Sequence, residues 1–388
     1  MLLVQSSVYS QPVQTLLRFP DTGQTQSYTV TFGEDNDYTI NPPGYRVHGN
    51  GTVTDTVTGL MWQQTDGGEM SYARAQVYAD TLTLGGYTDW RLPTALEAYS
   101  IHLLQNANPA LNTNVFTKTT AEYWWTSERQ ANDSTKVYST NAGGGIGNHR
   151  MNETVSSGGT KRYAVRAVRN PVPPIYVTER FVQLPSGVIT DSMTGLQWSP
   201  QPSTDSLTWE DAITTAESAL YGGYSDWRLP NIKELQSLSD LTTVNPVLDK
   251  KYFSQIGVRR LWSSTSISNQ SQRAWYFDTQ YGVTTYTDKV RRLSTILVRS
   301  SSIISSVASE DTEVCSLRLN PVNGNFSVYC ANGIDNLDVF TIVGEKIRQP
   351  LFIMHDVSAR LSLPSQGLYL IRILSQGAYC THKIIVQY

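Results

Sequence analysis

Only a few side chains in this sequence have types and spacing suited to chemistry. They are five histidines (His48, His102, His149, His355 and His382), three cysteines (Cys315, Cys330 and Cys380) and one dense acidic run, Glu34-Asp35-Asn36-Asp37. Carboxylates at short spacing are the hard oxygen donors that calcium takes, which makes Asp35 and Asp37 the candidate calcium ligands. The run lacks the glycine and closing glutamate of an EF-hand loop, so an acidic turn is the favoured reading and no cofactor is required. The histidines have no Cys or acidic neighbour at ligand spacing, and they read as scattered surface residues. Gly143-Gly-Gly-Ile-Gly147 has the glycine density of a phosphate loop without the following Lys-Ser/Thr, and reads as a flexible loop. The first 314 residues contain no cysteine, which excludes thiol chemistry there, and of the three in the tail one is unpaired or intermolecular.

The elements that would position any site are spelled out twice. VTDTVTGLMW (53–62) returns as ITDSMTGLQW (189–198), GGYTDWRLP (85–93) as GGYSDWRLP (222–230), and WWTS (124–127) as LWSS (261–264). Asn108-Pro109 matches Asn245-Pro246, and the closing runs YAVRAVR and TILVRSS also correspond. The spacing predicts a 1–40 leader, repeats over 41–170 and 174–300 divided by Pro-Val-Pro-Pro, a Ser/Thr-rich linker over 301–312 and a tail over 313–388. Within a unit, a hairpin precedes a helix, capped by Ser71 in the first copy and opened by a Thr208–Asp211 capping box in the second. A second helix follows DWRLP, with Thr94/Glu97 and Asn231/Glu234 as capping boxes. Apolar spacing puts Leu96, Tyr99, Leu103 and Leu104 on one face of it, and Leu235, Leu238 and Leu241 in the second copy. DWRLP itself reads as a strand-to-helix corner, with Trp90 and Leu92 turned inward.

Composition narrows the class. The chain has 388 residues, 16% charged, 22 Tyr, 9 Trp and a net charge of −3. That length suits several domains with their own cores, and the balance gives no overall electrostatic reason to bind nucleic acid. No stretch approaches a transmembrane segment. MLLVQSSVYSQPVQ resembles the end of a secretory signal or a ragged mature terminus.

On the repeated motifs and the closing YAVRAVR, residues 19–300 resemble the domain of unknown function shared with the C-terminal domain of the Legionella collagen-like adhesin. More distantly, they resemble the formylglycine-generating enzyme fold, a C-type-lectin-like α+β architecture. The resemblance implies two tandem lectin-like domains and surface binding. The cysteine pair on which formylglycine-generating enzymes depend is absent, so no enzymatic activity is expected; the alternatives are altered chemistry on that fold or a structural surface component. The tail, through Asn320-Pro321, Gly324, Gly344, Gly367-Leu-Tyr369 and Lys383-Ile-Ile-Val386, resembles the C-terminal sorting domain of type IX secretion. This implies a small all-β, Ig-like sandwich, the type IX machinery as partner, and an outer-surface location.

The repeats diverge most between WWTS/LWSS and the closing strand. Ligand contacts are therefore expected from Tyr138, Asn141, Asn148, His149 and Arg150 in the first copy, and from Trp275, Tyr276, Asp278, Tyr281 and Tyr286 in the second. Aromatic faces among amides and hydroxyls suit a glycan or protein surface. Lys161, Arg162, Arg291 and Arg292 flank these segments, and with them the adhesin resemblance implies a sulfated glycan, while the acidic overall balance argues against strong polyanion binding.

Overall fold

The computed structural model describes residues 13–14, 18–153, 155–156, 159–160, 162–171, 176–177 and 179–300. In the tail it describes 315–320, 325–330, 334–341, 346–347, 351–355, 358–362, 367–375 and 378–386. The first dozen residues, most of the Pro-Val-Pro-Pro stretch, Lys161 and the 301–312 linker lie outside the described residues. Two compact units divide the chain, residues 1–301 and 302–388.

Each repeat is α+β and is closed by its own ends. In the first, the β-branched hairpin Thr52–Asp55 and Met61–Gln63 has the closing strand Val168–Arg169 on one side and Tyr45–Val47 on the other. Val168 lies opposite Trp62 in this antiparallel register. The second repeats the arrangement, with Ile189–Asp191, Leu196–Trp198 and the closing Val298–Ser300. A second sheet follows in each: Tyr123–Gln130, Asp133–Asn141 and Ile146–Arg150, then Arg260–Ser266, Arg273–Asp278 and Val283–Asp288. Trp62 and Trp198 are fully buried at the same place in the two hairpins.

The helices are α1 (Tyr72–Thr81) and α2 (Ala95–Ser100) in the first repeat, and α3 (Trp209–Glu217) and α4 (Ile232–Ser237) in the second. The capping boxes expected at α2 and α4 are present: Thr94 accepts from the Glu97 amide and Asn231 from the Glu234 amide, and each glutamate reaches back to its cap. Thr208 accepts from the Asp211 amide and its hydroxyl donates to the Asp211 carboxylate (2.7 Å), so the box expected there is a cap without the return bond to the backbone, whereas Ser71 makes no side-chain cap bond. Helix α2 is shorter than its apolar spacing predicts. It stops at Ser100 because the Leu103 amide donates to Ala110 O (2.9 Å) and the Leu104 amide to Thr22 O (2.9 Å), which pulls the chain off the helix axis.

The duplicated nonapeptide is a structural corner. Gly85 and Gly86 (φ +64° and +88°) and Gly222 and Gly223 (φ +61° and +84°) take the left-handed turn that a side chain disfavours. Trp90 and Trp227 are buried, and their indole N–H groups donate to Leu84 O (3.3 Å) and Tyr221 O (3.0 Å). The charges clamp neighbouring elements. Asp89 pairs with Arg169 and Asp226 with Arg299 on the closing strands, while Arg91 pairs with Glu97 and Arg228 with Glu234. Tyr87 and Tyr224 lie under those closing-strand arginines at 3.9 and 3.8 Å. Between Gly86 and Pro93 the chain makes two isolated bridges, Tyr87 back to Leu84 and Arg91 to Val168, so it is less than a full strand.

One hydrophobic cluster joins the two repeats, beside clusters that belong to each repeat alone. Ala95, Tyr99, Leu104, Ala110, Tyr138 and Ile146 of the first cluster with Ile232, Leu235, Trp275 and Val247 of the second. The leader completes the second repeat from outside it. Residues 19–41 cross α3 and the strand Arg260–Ser266: Gly33 sits against Ile213, Tyr38 donates to Glu217 (2.7 Å) and Thr29 to Glu210 (2.9 Å).

The tail unit is all-β. One sheet orders Cys315–Asn320, Asn325–Cys330, Ser358–Ser362 and Leu351–His355, and the other Asn336–Thr341, Gly367–Ser375 and Ala378–Val386. Every pairing is antiparallel. Alternate residues Leu337, Val339, Ile371 and Ile373 are buried, the period-two pattern of a half-covered sheet. Sequence patterning shows the outer runs and misses the central hairpin of Leu351–His355 and Ser358–Ser362.

Candidate ligand-binding groove

The divergent segments were expected to form two exposed ligand faces. Instead, much of each is turned toward the other repeat. Tyr138 is fully buried and its hydroxyl donates to Tyr281 O (2.6 Å); the Ile146 amide donates to Thr284 Oγ1 (2.8 Å). Trp275 is 4% exposed, its ring 3.4–3.5 Å from where a Cβ on Gly144 or Gly145 would stand. This corrects two expectations. Tyr138 and Trp275 are seam residues, and the glycine run is a packed turn whose missing side chains let the second repeat approach. Asn141 serves the same turn, accepting from the amides of Gly143 (2.9 Å) and Gly145 (3.2 Å).

The remaining expected residues scatter. Asn148 donates to Gln130. His149 packs edge-on to Tyr123 (5.3 Å) and stands 3.4 Å from Glu153, so it does have an acidic neighbour. Arg150 is exposed. Tyr286 is 40% exposed, edge-on to Trp275. Asp278 faces Arg260 at 3.5 Å and holds the turn through the Gln280 amide. His102, expected at the surface, is buried, and burial drives its pKa down to about 3.

The acidic run is also turned inward. Asp35 accepts hydrogen bonds from Thr22 and Thr265 (both 2.6 Å), and burial raises its pKa to about 7 against those two donors. Asp37 accepts from the amides of Gly33 (2.9 Å) and Glu34 (3.1 Å), closing a turn. Glu34 accepts from Gln24 (2.8 Å), Tyr28 N (2.7 Å) and Ser266. Asp35 and Glu34 hold the leader to the second repeat. Beside them Lys233 is fully buried, its ammonium donating to Asp21 O and Ser100 O (both 2.8 Å), and burial lowers its pKa to about 8.

What the structure does bring together is a groove of about 420 Å³ on the second repeat, lined by Arg260, Tyr276, Thr287, Arg291, Arg292 and Leu293. Tyr276, Arg291 and Arg292 were singled out in the sequence; Arg260, Thr287 and Leu293 were not. Arg260 lies over the Tyr276 ring at 5.5 Å, and Arg292 reaches Ser206 O at 3.2 Å. In the first repeat the positions of Arg260, Thr287 and Leu293 are held by Tyr123, His149 and Tyr163. There the rings fill the space: Tyr163 stacks on Trp125 at 4.0 Å and meets Tyr123 at 4.9 Å. The lost signal was a substitution between copies, aromatic to arginine, outside the segments that diverge in length.

The chain is thus a pair of α+β repeats followed by an all-β unit. The Lcl C-terminal domain model matches residues 51–169 and 187–299, more than half of the chain, and the chain belongs to that family. The secretion system C-terminal sorting domain matches residues 320–387, which directs the protein to the type IX machinery and to surface attachment. No curated protein sequence matches the chain. Among the described residues no helix is long and apolar enough to cross a membrane.

Proposed function

We propose that this is a non-catalytic adhesion protein with lectin-like repeats, in which the groove of the second repeat takes an anionic glycan. The groove itself carries the reading: three arginines and a tyrosine line an open concavity at a place the sister repeat fills with rings. Guanidinium groups match carboxylate or sulfate oxygens bidentately, and a tyrosine ring offers an apolar surface beside a polar edge. Among the groups with shifted pKa values, His102, Asp35 and Lys233 are buried in the packed interior, while Tyr276, raised by burial, lines the groove.

An array of anionic and neutral saccharides, probed with the full chain, tests this. Binding confined to anionic sugars and weakening steeply with salt is the expected result. Arg291→Ala with Arg292→Ala should reduce binding at least tenfold and leave the melting temperature unchanged, since both side chains are exposed. Equal binding by the variant, or binding to neutral sugars only, overturns the assignment.

A further inference from the structure

The three cysteines fall in the exported tail, and the strand register sorts them. Cys315–Asn320 and Asn325–Cys330 pair antiparallel through six consecutive partners, from Asn320 opposite Asn325 to Cys315 opposite Cys330. Cys380 lies in the other sheet, opposite Ile373. Directly opposed residues share a face of the sheet, with Cα atoms about 4.5 or 5.5 Å apart according to the type of pair. Both separations fall inside the roughly 4.4–6.8 Å range that a disulfide spans.

We infer that Cys315 and Cys330 are joined by a disulfide, and that Cys380 is the odd thiol. The sorting domain carries the chain out of the reducing cytoplasm, into compartments where such bonds persist. Formation is a thiol–disulfide exchange with an envelope oxidoreductase. One cysteine thiolate attacks the enzyme's disulfide and gives a mixed disulfide; the second thiolate displaces the enzyme. The two cysteines lose two electrons and two protons, and the enzyme leaves as a dithiol. The bond ties together the ends of a hairpin whose first strand begins ahead of the matched sorting domain, at residue 320. It therefore anchors the incoming chain to the export module.

The test is a peptide map of the full chain, recovered from an oxidising cell envelope with thiols alkylated at lysis and no reductant added. The expected result is a cross-linked pair of tryptic peptides bearing Cys315 and Cys330, with Cys380 alkylated. Cys380→Ser should keep that cross-link, and Cys315→Ser should make Cys330 alkylate. Alkylation of both Cys315 and Cys330 in the natural chain, or a cross-link that includes Cys380, overturns the inference.

Discussion

At the second position of α2 the first repeat has Leu96, half-buried; the matching position of α4 is Lys233, sealed between the leader and Ser100. The contrast extends across the same face. On α1, Gln76 is half-buried where α3 has Ile213 fully covered beside leader residue Gly33. The Ala95 amide at the start of α2 donates to Glu128 of its own repeat (2.6 Å), whereas the Ile232 amide donates to Thr265 (3.1 Å), which in turn donates to Asp35 of the leader. The first copy thus supplies its own carboxylate at the helix start. The second receives one from the leader, a segment that precedes the first copy in sequence. Glu128 stands where the second repeat has Thr265, so the first repeat lacks the hydroxyl that donates to the leader's Asp35.

That asymmetry is most directly broken by deleting residues 18–41. The deletion strips Ile213 of its cover, leaves Lys233 with Ser100 O alone, and removes leader partners of Thr265, Ser266 and Glu217. Each buried polar group left unpaired costs about 1–3 kcal/mol. The combined loss should exceed about 5 kcal/mol, and urea titration of the truncated 1–301 unit should show no folded baseline. A normal urea midpoint for the truncated chain would show that the second repeat folds without the leader.

The duplicated corner tests the opposite property, what the copies share. Trp90→Ala and Trp227→Ala each remove a buried indole and should each cost about 3–5 kcal/mol. Because one cluster joins the two repeats, each variant should still unfold in a single transition. Two separate transitions, with only the mutated repeat shifted, would show that the copies are independent domains.

The sequence made some of this legible and hid the rest, for physical reasons. Capping boxes and corners are local: Thr94 needs only Glu97 three residues on, and Asp89, Trp90 and Arg91 differ in face by strand alternation alone. Repetition then exposes the units. The seam, by contrast, depends on Gly144 meeting Trp275 across more than a hundred residues, and the same glycines read in isolation suggest a mobile loop. The acidic run offers oxygen ligands in sequence, yet its neighbours in space are the hydroxyls of Thr265 and Ser266. Comparison of the copies position by position, Tyr123 with Arg260 and Tyr163 with Leu293, is the signal that could have found the groove.

The smallest expected effect sharpens the leader contact to one atom pair. Asp35 has a pKa near 7 in the folded chain because burial outweighs its two hydroxyl donors, with Glu234 and Asp21 adding repulsion, against 3.8 as an ordinary carboxyl. The folded state therefore binds an extra proton between those values. The stability this protonation contributes is complete below about pH 4, declines as pH rises toward 7, and is gone above it. Lys233 acts in a separate window. Its pKa is lowered to about 8, so its unfavourable charge is relieved only as pH rises from about 8 toward its ordinary value of 10.5. Asp35→Asn keeps a polar group against Thr22 and Thr265 and removes the titration. Relative to the natural chain, the variant should gain about 2–3 kcal/mol of stability between pH 5 and pH 8, at 1.36 kcal/mol per pKa unit. Urea midpoints at the two pH values measure it. Parallel curves for the two proteins would mean that Asp35 stays ionised in its site, and that the leader is held by a buried anion.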